Sequence, residues 1–199
     1  METSLPTLWS LLGFAVAASV TPGPNVLMVA ASAASHGVRA TLPQMLGVTF
    51  GFGAMLLLVG LGLAGPLLAS PTLHLALKWV AVAWLLWLAW RIGSAPPPGE
   101  GPARPPLGFR GAALFQWVNP KAWMIAAAVM PAFTAPGEAV LPQVVLIAAV
   151  FVVVSMPCLM VWAGIGTAAA HLLRAPGRLR VFNIVMALLL VASLVPLVR

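Results

Sequence analysis

The stretch Ser19 to Met28, "SVTPGPNVLM", puts Pro22, Gly23 and Pro24 into a run that is otherwise almost wholly apolar from Leu5 to Ala34. Proline has no N–H, so a helix passing through this segment strips the carbonyls of Ala18 and Val20 of their normal partners, and Gly23 weakens it further. In hydrocarbon an unsatisfied backbone group is expensive, so backbone of this kind must face protein, water or a ligand. How the break is read decides whether this run is a plain membrane span or part of a site.

The surrounding composition makes hydrocarbon the relevant solvent. Hydrophobic residues make up 62% of the 199 residues and charged residues 7%, with a mean hydropathy of +1.06. These values lie far outside those of soluble domains. The apolar material falls into six runs: Leu5 to Ala34, Leu42 to Leu68, Leu73 to Trp90, Gly111 to Phe133, Val140 to Leu173 and Val181 to Val198. Each is long enough to cross the membrane as a helix, which takes roughly 18 to 20 residues. The runs are continuous rather than alternating segments of about ten residues, which excludes a β-barrel. The expectation is an all-α integral membrane protein with six transmembrane helices. "AVAAS" looks like a signal-peptide cleavage site, but no Lys or Arg precedes Arg39 and the apolar run continues past it, so no cleaved signal is expected.

The formal net charge of +7 records orientation rather than a nucleic-acid partner. Arg39 lies between the first two runs, Arg91, Arg104 and Arg110 between the third and fourth, and Arg174, Arg178 and Arg180 between the fifth and sixth. The opposite side has only Arg199 and Lys78, the latter an interfacial anchor beside Trp79. The positive-inside rule then puts those three loops in the cytoplasm and both termini outside.

The segment Gly93 to Pro106, "GSAPPPGEGPARPP", contains six prolines and reads as an extended cytoplasmic linker, 93–108. It divides a single transporter-like domain into half one, 1–92, and half two, 109–199, with three helices each. An odd number of helices per half means that two halves of one fold enter the membrane from opposite sides. This is the inverted repeat of many secondary transporters, whose sites lie at the midplane between discontinuous helices. The first helix of half two has its own break in "QWVNPKAW", residues 116–123, so the first and fourth helices are expected to be broken at corresponding depths.

The candidate substrate-binding residues are Thr21, Pro22, Gly23, Pro24, Asn25, Asn119, Pro120 and Lys121. Thr21 before Pro22, and Asn119 before Pro120, read as N-caps followed by proline at the first helical position. A half-helix start offers N–H groups and about half a positive charge to an anion, and Lys121 adds a full charge. Together these suit a carboxylate. Freed carbonyls, Asn25 and the Thr21 hydroxyl suit an ammonium, so a zwitterionic amino acid fits both. The alternatives are simple proline kinks and a Lys121 that snorkels to the interface.

Other features carry less. "GLGLAG", residues 60–65, matches a dinucleotide fingerprint in letters only, since no strand precedes it and no acidic residue follows at the right distance. Gly47 with Gly51, and Gly164 with Gly166, read as faces for close helix packing. Pro157 reads as a kink. Trp117 and Trp123 flank the second break and either line a cavity or pack. His36, His74 and His171 lack metal-ligand spacing, and Cys158 is the only cysteine, so neither a metal site nor a cofactor is expected. An enzyme is not expected, because the chain has no Asp, and Glu2, Glu100 and Glu138 fall in a terminus or loops.

"TPGPN" at 21–25, "HGVRATLPQMLGVTFG" at 36–51, "GLGLA" at 60–64 and "FRGAALFQWVNPKAW" at 109–123 together resemble the lysine exporter superfamily, LysE/RhtB. The resemblance implies a multi-pass inner-membrane exporter of amino acids or their derivatives, driven by the proton gradient. The family's interrupted first and fourth helices correspond to Thr21 to Asn25 and Asn119 to Lys121. Many relatives have an acidic residue in the second helix, where this chain has "GVTFGFG", residues 47–53, with Phe52 or a neighbour in its place. That departure points away from lysine or arginine and toward a neutral substrate. The working expectation is export by alternating access, with an amino acid and the lipid bilayer as partners, no nucleic acid, and homo-oligomerisation open. A passive channel for small zwitterions and a non-transporting scaffold are the rivals.

Overall fold

The computed structural model describes residues 5–62, 70–95, 105–135, 139–172 and 176–195, and these are helical with short connections and no strand. The helices are α1 (Leu5–Val20), α2 (Pro24–His36), α3 (Val38–Gly60), α4 (Pro71–Gly93), α5 (Phe109–Phe115), α6 (Pro120–Phe133), α7 (Val140–Leu172) and α8 (Pro176–Ala192). A 3₁₀ turn, Gln116–Val118, follows α5. Glu2, Glu100, Glu138 and most of the proline-rich linker lie outside the described residues.

Proline and glycine set the boundaries. α1 stops at Val20 ahead of Pro22, and α2 restarts with Pro24 at its first turn, where the missing N–H costs nothing. The two helices meet at a bend of 54° and together are long and apolar enough for one broken span. Only Gly37 separates α2 from α3. Its φ of +81° lies in the left-handed region that glycine adopts without a Cβ clash, and its N–H donates to the Ala33 carbonyl at 2.9 Å.

Three single helices are long and apolar enough to cross a membrane: α3, the Leu75–Gly93 part of α4, and α7. With the bent α1–α2 pair, the described residues thus hold three to four candidate spans. The fourth apolar run is divided into α5, the 3₁₀ turn and α6, and the sixth forms α8, a helix of 17 residues. The arms before the two breaks differ in length. α1 has 16 residues, whereas α5 has 7 and its 3₁₀ turn 3. The arms after them nearly match, with 13 residues in α2 and 14 in α6.

α7, with 33 residues, is the central post, packing along α2, α3 and α1, while α3 also packs on α5 and α4 on α8. Small residues make these approaches possible. A Cβ on Gly166 would lie 2.1 Å from the Ala30 carbonyl oxygen, one on Gly47 2.2 Å from that of Phe109, and one on Gly51 2.5 Å from the Ala113 Cα. Gly47, Gly51 and Gly166 therefore serve close packing as expected, whereas Gly164 faces open space. Gly60 ends a helix rather than following a strand, so the "GLGLAG" segment has no dinucleotide-binding context.

The interior holds two apolar cores. One joins α2, α3, α4, α5, α7 and α8 through residues such as Leu27, Met45, Leu85, Phe115 and Leu190. The other joins α1, α3, α6 and α7 through Leu11, Met55, Ala126 and Phe151, with Phe52 and Phe151 edge to face at 5.4 Å. Trp9, Phe50, Leu114 and Val153 lie exposed on the outer surface, as apolar side chains do when they face lipid.

Candidate functional site

The first break is built differently from its sequence reading. Thr21 is not a cap. Its hydroxyl donates back to the Ala17 carbonyl at 2.5 Å, and the N-cap of α2 is Gly23, in extended conformation without a side-chain bond. The Thr21 hydroxyl thereby continues the α1 ladder, because a threonine in the last turn reaches the carbonyl four residues back. Two carbonyls at the break, that of Val20, which Pro24 leaves without its helical partner, and that of Thr21, are taken from a distance. Val20 O accepts from Trp162 Nε1 of α7 at 3.1 Å, and Thr21 O accepts from Lys121 Nζ at 2.5 Å.

The second break follows its reading. Asn119 is the N-cap of α6, and its Oδ1 accepts from the Lys121 backbone N–H at 3.1 Å, with Pro120 in the first turn. Asn119 is buried, and its side chain satisfies one of the backbone donors that a helix start leaves without an intrahelical partner.

The two breaks, about a hundred residues apart in sequence, meet in space. Lys121 crosses from the start of α6 to the end of α1, and its stem fills the place of the absent Cβ of Gly23, where such an atom would stand 2.6 Å from Lys121 Cδ. Beside it Asn25 Nδ2 donates to Gln116 Oε1 at 2.9 Å, and Gln116 Nε2 donates to Asn25 Oδ1 at 3.1 Å. Gln116 is held by a further bond from Nε2 to the Ala112 carbonyl at 3.0 Å. Lys121 ties one half-helix start to the other.

Gly23, Asn25, Asn119 and Lys121 line one cavity, which holds about 450 Å³ when measured out to its open mouth. Its polar lining comes from Ser19, Asn25, Asn119, Lys121 and Ser155, and its apolar lining includes Val48, Phe52, Ile125 and Leu159. Val48 and Leu159 belong to one core, and Phe52 to the other, so the cavity sits where the two cores meet. Of the sequence candidates, Gly23, Asn25, Asn119 and Lys121 line it, Thr21 reaches it through the Lys121 contact, and Pro22, Pro24 and Pro120 act by shaping the backbone. Trp117 and Trp123 do not line it. They pack edge to face at 6.1 Å, and Trp123 Nε1 donates to the Trp117 carbonyl at 2.9 Å.

Gln116, Trp162, Ser19 and Ser155 were not predicted. Gln116, Ser19 and Ser155 left a trace in sequence, as polar residues inside apolar runs, Gln116 four positions before Pro120. No Asp or Glu occurs among the described residues, and the partner that Lys121 Nζ finds among them is the Thr21 carbonyl. Also among the described residues, no three His, Cys, Asp or Glu side chains gather as a metal site. His36 and His171 lie in the last turns of α2 and α7. The cavity thus presents one cation, two amides and two hydroxyls on an apolar wall, a set whose chemistry suits a small zwitterion.

The family model described as LysE type translocator matches residues 16–198. Among curated proteins, the cysteine/O-acetylserine efflux protein of Escherichia coli (strain K12) is 31% identical over 190 residues, 95% of this chain and 94% of the relative. The protein of the same name from Shigella sonnei (strain Ss046) matches with the same identity and coverage, and that of Escherichia coli O139:H28 (strain E24377A / ETEC) is 30% identical over 190 residues. No solved structure matches the chain.

Proposed function

From the premise that this chain belongs to the LysE type translocator family, a family of multi-pass amino-acid exporters and not of enzymes, we propose that it exports a small neutral amino acid or O-acyl amino acid. The observation that carries the reading is the contact of Lys121 Nζ with the Thr21 carbonyl across the two helix breaks. An ammonium at membrane depth costs roughly 2.5 to 3.5 kcal/mol on insertion scales, so its placement on a broken backbone calls for a compensating role.

That role is to hold the substrate carboxylate. In this structure Lys121 is given to the Thr21 carbonyl. A carboxylate entering beside Asn119 offers it a charge-assisted partner stronger than a neutral carbonyl. As Lys121 turns to the carboxylate, the Thr21 carbonyl is released to accept from the substrate ammonium, with the Asn25 side chain as neighbour. Substrate thus takes over the tie between the half-helix starts, and the six-helix inverted repeat rocks about it to release substrate to the outer face. The chain lies in a bacterial inner membrane with both termini outside, and the gradients across that membrane set the direction of net movement.

The relatives named for cysteine and O-acetylserine efflux support a short, neutral side chain, as do Phe52 and Ile125 on the wall and the lack of an acidic residue in the described cavity. The same lack supports a second reading, a facilitator without proton coupling. Purified protein in vesicles loaded with O-acetyl-L-serine separates the readings. Efflux that a pH gradient accelerates beyond equilibration supports the proton-driven exporter, efflux that only equilibrates supports the facilitator, and no efflux above empty vesicles refutes both.

A further inference from the structure

The cavity around Lys121 has two unlike parts to its lining. Gly23, Asn25, Asn119 and Lys121 come from the two helix breaks, whereas α3 and α7 contribute a wall of Val48 and Phe52, one turn apart, and Ser155 and Leu159, also one turn apart. That wall is firmly held. Phe52 packs edge to face on Phe151, one turn before Ser155, and a Cβ on Gly53 would lie only 2.6 Å from Val152 Cγ2. Among the described residues, Ser155 is the one polar side chain that α3 and α7 bring to this cavity.

Ser155 is 7% exposed and makes no hydrogen bond among the described residues. Its Oγ is nevertheless not one of the polar atoms that burial shuts off, as the Thr49 hydroxyl is. The hydroxyl therefore opens on the cavity that the residue lines. A serine or threonine inside a helix commonly satisfies itself on the carbonyl four residues back. Thr167, further along α7, does so on Ala163 at 3.2 Å, and Thr41 and Thr134 do so on Gly37 and Met130 at 2.9 and 2.7 Å. Ser155 does not, so its O–H remains to be donated. A donor left unmade in apolar surroundings is costly, and the cavity is where a partner can enter.

We propose that Ser155 is a specificity-determining residue, whose O–H donates to a neutral acceptor on the substrate side chain, as the acyl carbonyl of an O-acyl amino acid supplies. This rests on the exporter reading, in which Lys121 takes the carboxylate and the side chain lies against the α3–α7 wall. Val48, Phe52 and Leu159 offer a charged side chain no counter-ion, while the single hydroxyl favours an uncharged oxygen. An apolar side chain of the same shape fills the same space but leaves the hydroxyl unbonded, and a site with a polar group to satisfy discriminates against such an analogue.

The test is competitive export from vesicles that carry the purified full-length protein and are loaded with equal amounts of O-acetyl-L-serine and L-homoleucine, which has a branched hydrocarbon side chain of similar shape. The ratio of initial rates then gives the ratio of kcat/KM values. Wild type should favour O-acetyl-L-serine about tenfold, and Ser155→Ala should bring the ratio close to one, as the loss of one neutral hydrogen bond does. A merely structural role would slow both compounds together and leave the ratio unchanged. Ser155→Cys keeps a weaker donor of similar size, should give an intermediate ratio, and serves as the second variant should the alanine protein fail to fold. Equal export of both compounds by wild type, or a wild-type ratio in Ser155→Ala, or in Ser155→Cys where that variant stands in, overturns the role of Ser155 and leaves the exporter standing. Export of neither compound above empty vesicles overturns the exporter reading and this inference with it.

Discussion

Asn25 and Gln116 exchange two hydrogen bonds, at 2.9 and 3.1 Å, across a separation of 91 residues, and so join the first turn of α2 to the 3₁₀ turn that precedes α6. One amide comes from each half of the chain, and each supplies both a donor and an acceptor. Such a reciprocal pair is satisfied only while the two breaks stay in register, which makes it a marker of this conformation as well as a tie.

Removing one member should therefore cost more than removing both. Asn25→Leu leaves the buried Gln116 amide without its partner, at about 1 to 3 kcal/mol, and Gln116→Leu does the same to Asn25. The double leucine variant should recover part of that loss. Thermal unfolding of the four proteins in detergent checks this, and strictly additive losses would falsify the coupling.

Lys121→Met should insert and fold, because its loss removes a charge from an apolar surrounding, but export should fall to background. Lys121→Arg retains charge but replaces a compact ammonium with a planar fork, so partial export is expected. Vesicle efflux measures both, and wild-type rates in the methionine variant would remove the lysine from the mechanism.

Glycine substitutions should divide by what their Cβ meets. At Gly23 the obstacle is the flexible Lys121 side chain, and the backbone is in the extended region open to any residue, so Gly23→Ala should fold normally and alter the KM for export. At Gly51 and Gly166 the obstacle is backbone, 2.5 and 2.1 Å away, so alanine should cost about 1 to 3 kcal/mol as α3 parts from α5, or α2 from α7. Melting temperatures beside efflux KM values separate the two classes. Equal melting losses at all three positions would contradict it.

Trp162→Phe keeps the ring contact and deletes the N–H that satisfies the Val20 carbonyl. The expected loss is about 1 to 3 kcal/mol with reduced efflux, since the end of α1 loses its anchor on α7. Trp162→His, which can restore a donor, should recover part of both. Amide hydrogen exchange around residues 17–24 should rise in the phenylalanine variant, and unchanged exchange there would argue that the bond does not hold the break.

The helical character of the chain was legible in sequence because it follows from continuous apolar runs, which hydrocarbon permits only as helices. Both breaks were legible too, since a missing proline N–H is a local fact. Asn119 was recognised as a cap from the residue beside it. The same reasoning misassigned Thr21, because two candidate starts, Thr21–Pro22 and Gly23–Pro24, stand side by side, and the threonine hydroxyl has an equally local alternative in the Ala17 carbonyl.

What the sequence by itself determined is where the backbone must be broken, that Lys121 sits at the second break, and that its charge needs a partner. Which partner it finds was decided only by tertiary structure. Lys121 reaches Thr21 O, Asn25 reaches Gln116, and Trp162 reaches Val20 O because α7 and α3 hold the two halves at glycine-close distances. Proline and glycine act on their own neighbours along the chain, so their effects can be read from order alone. A hydrogen bond spanning 91 to 142 residues depends on the packing of every helix between.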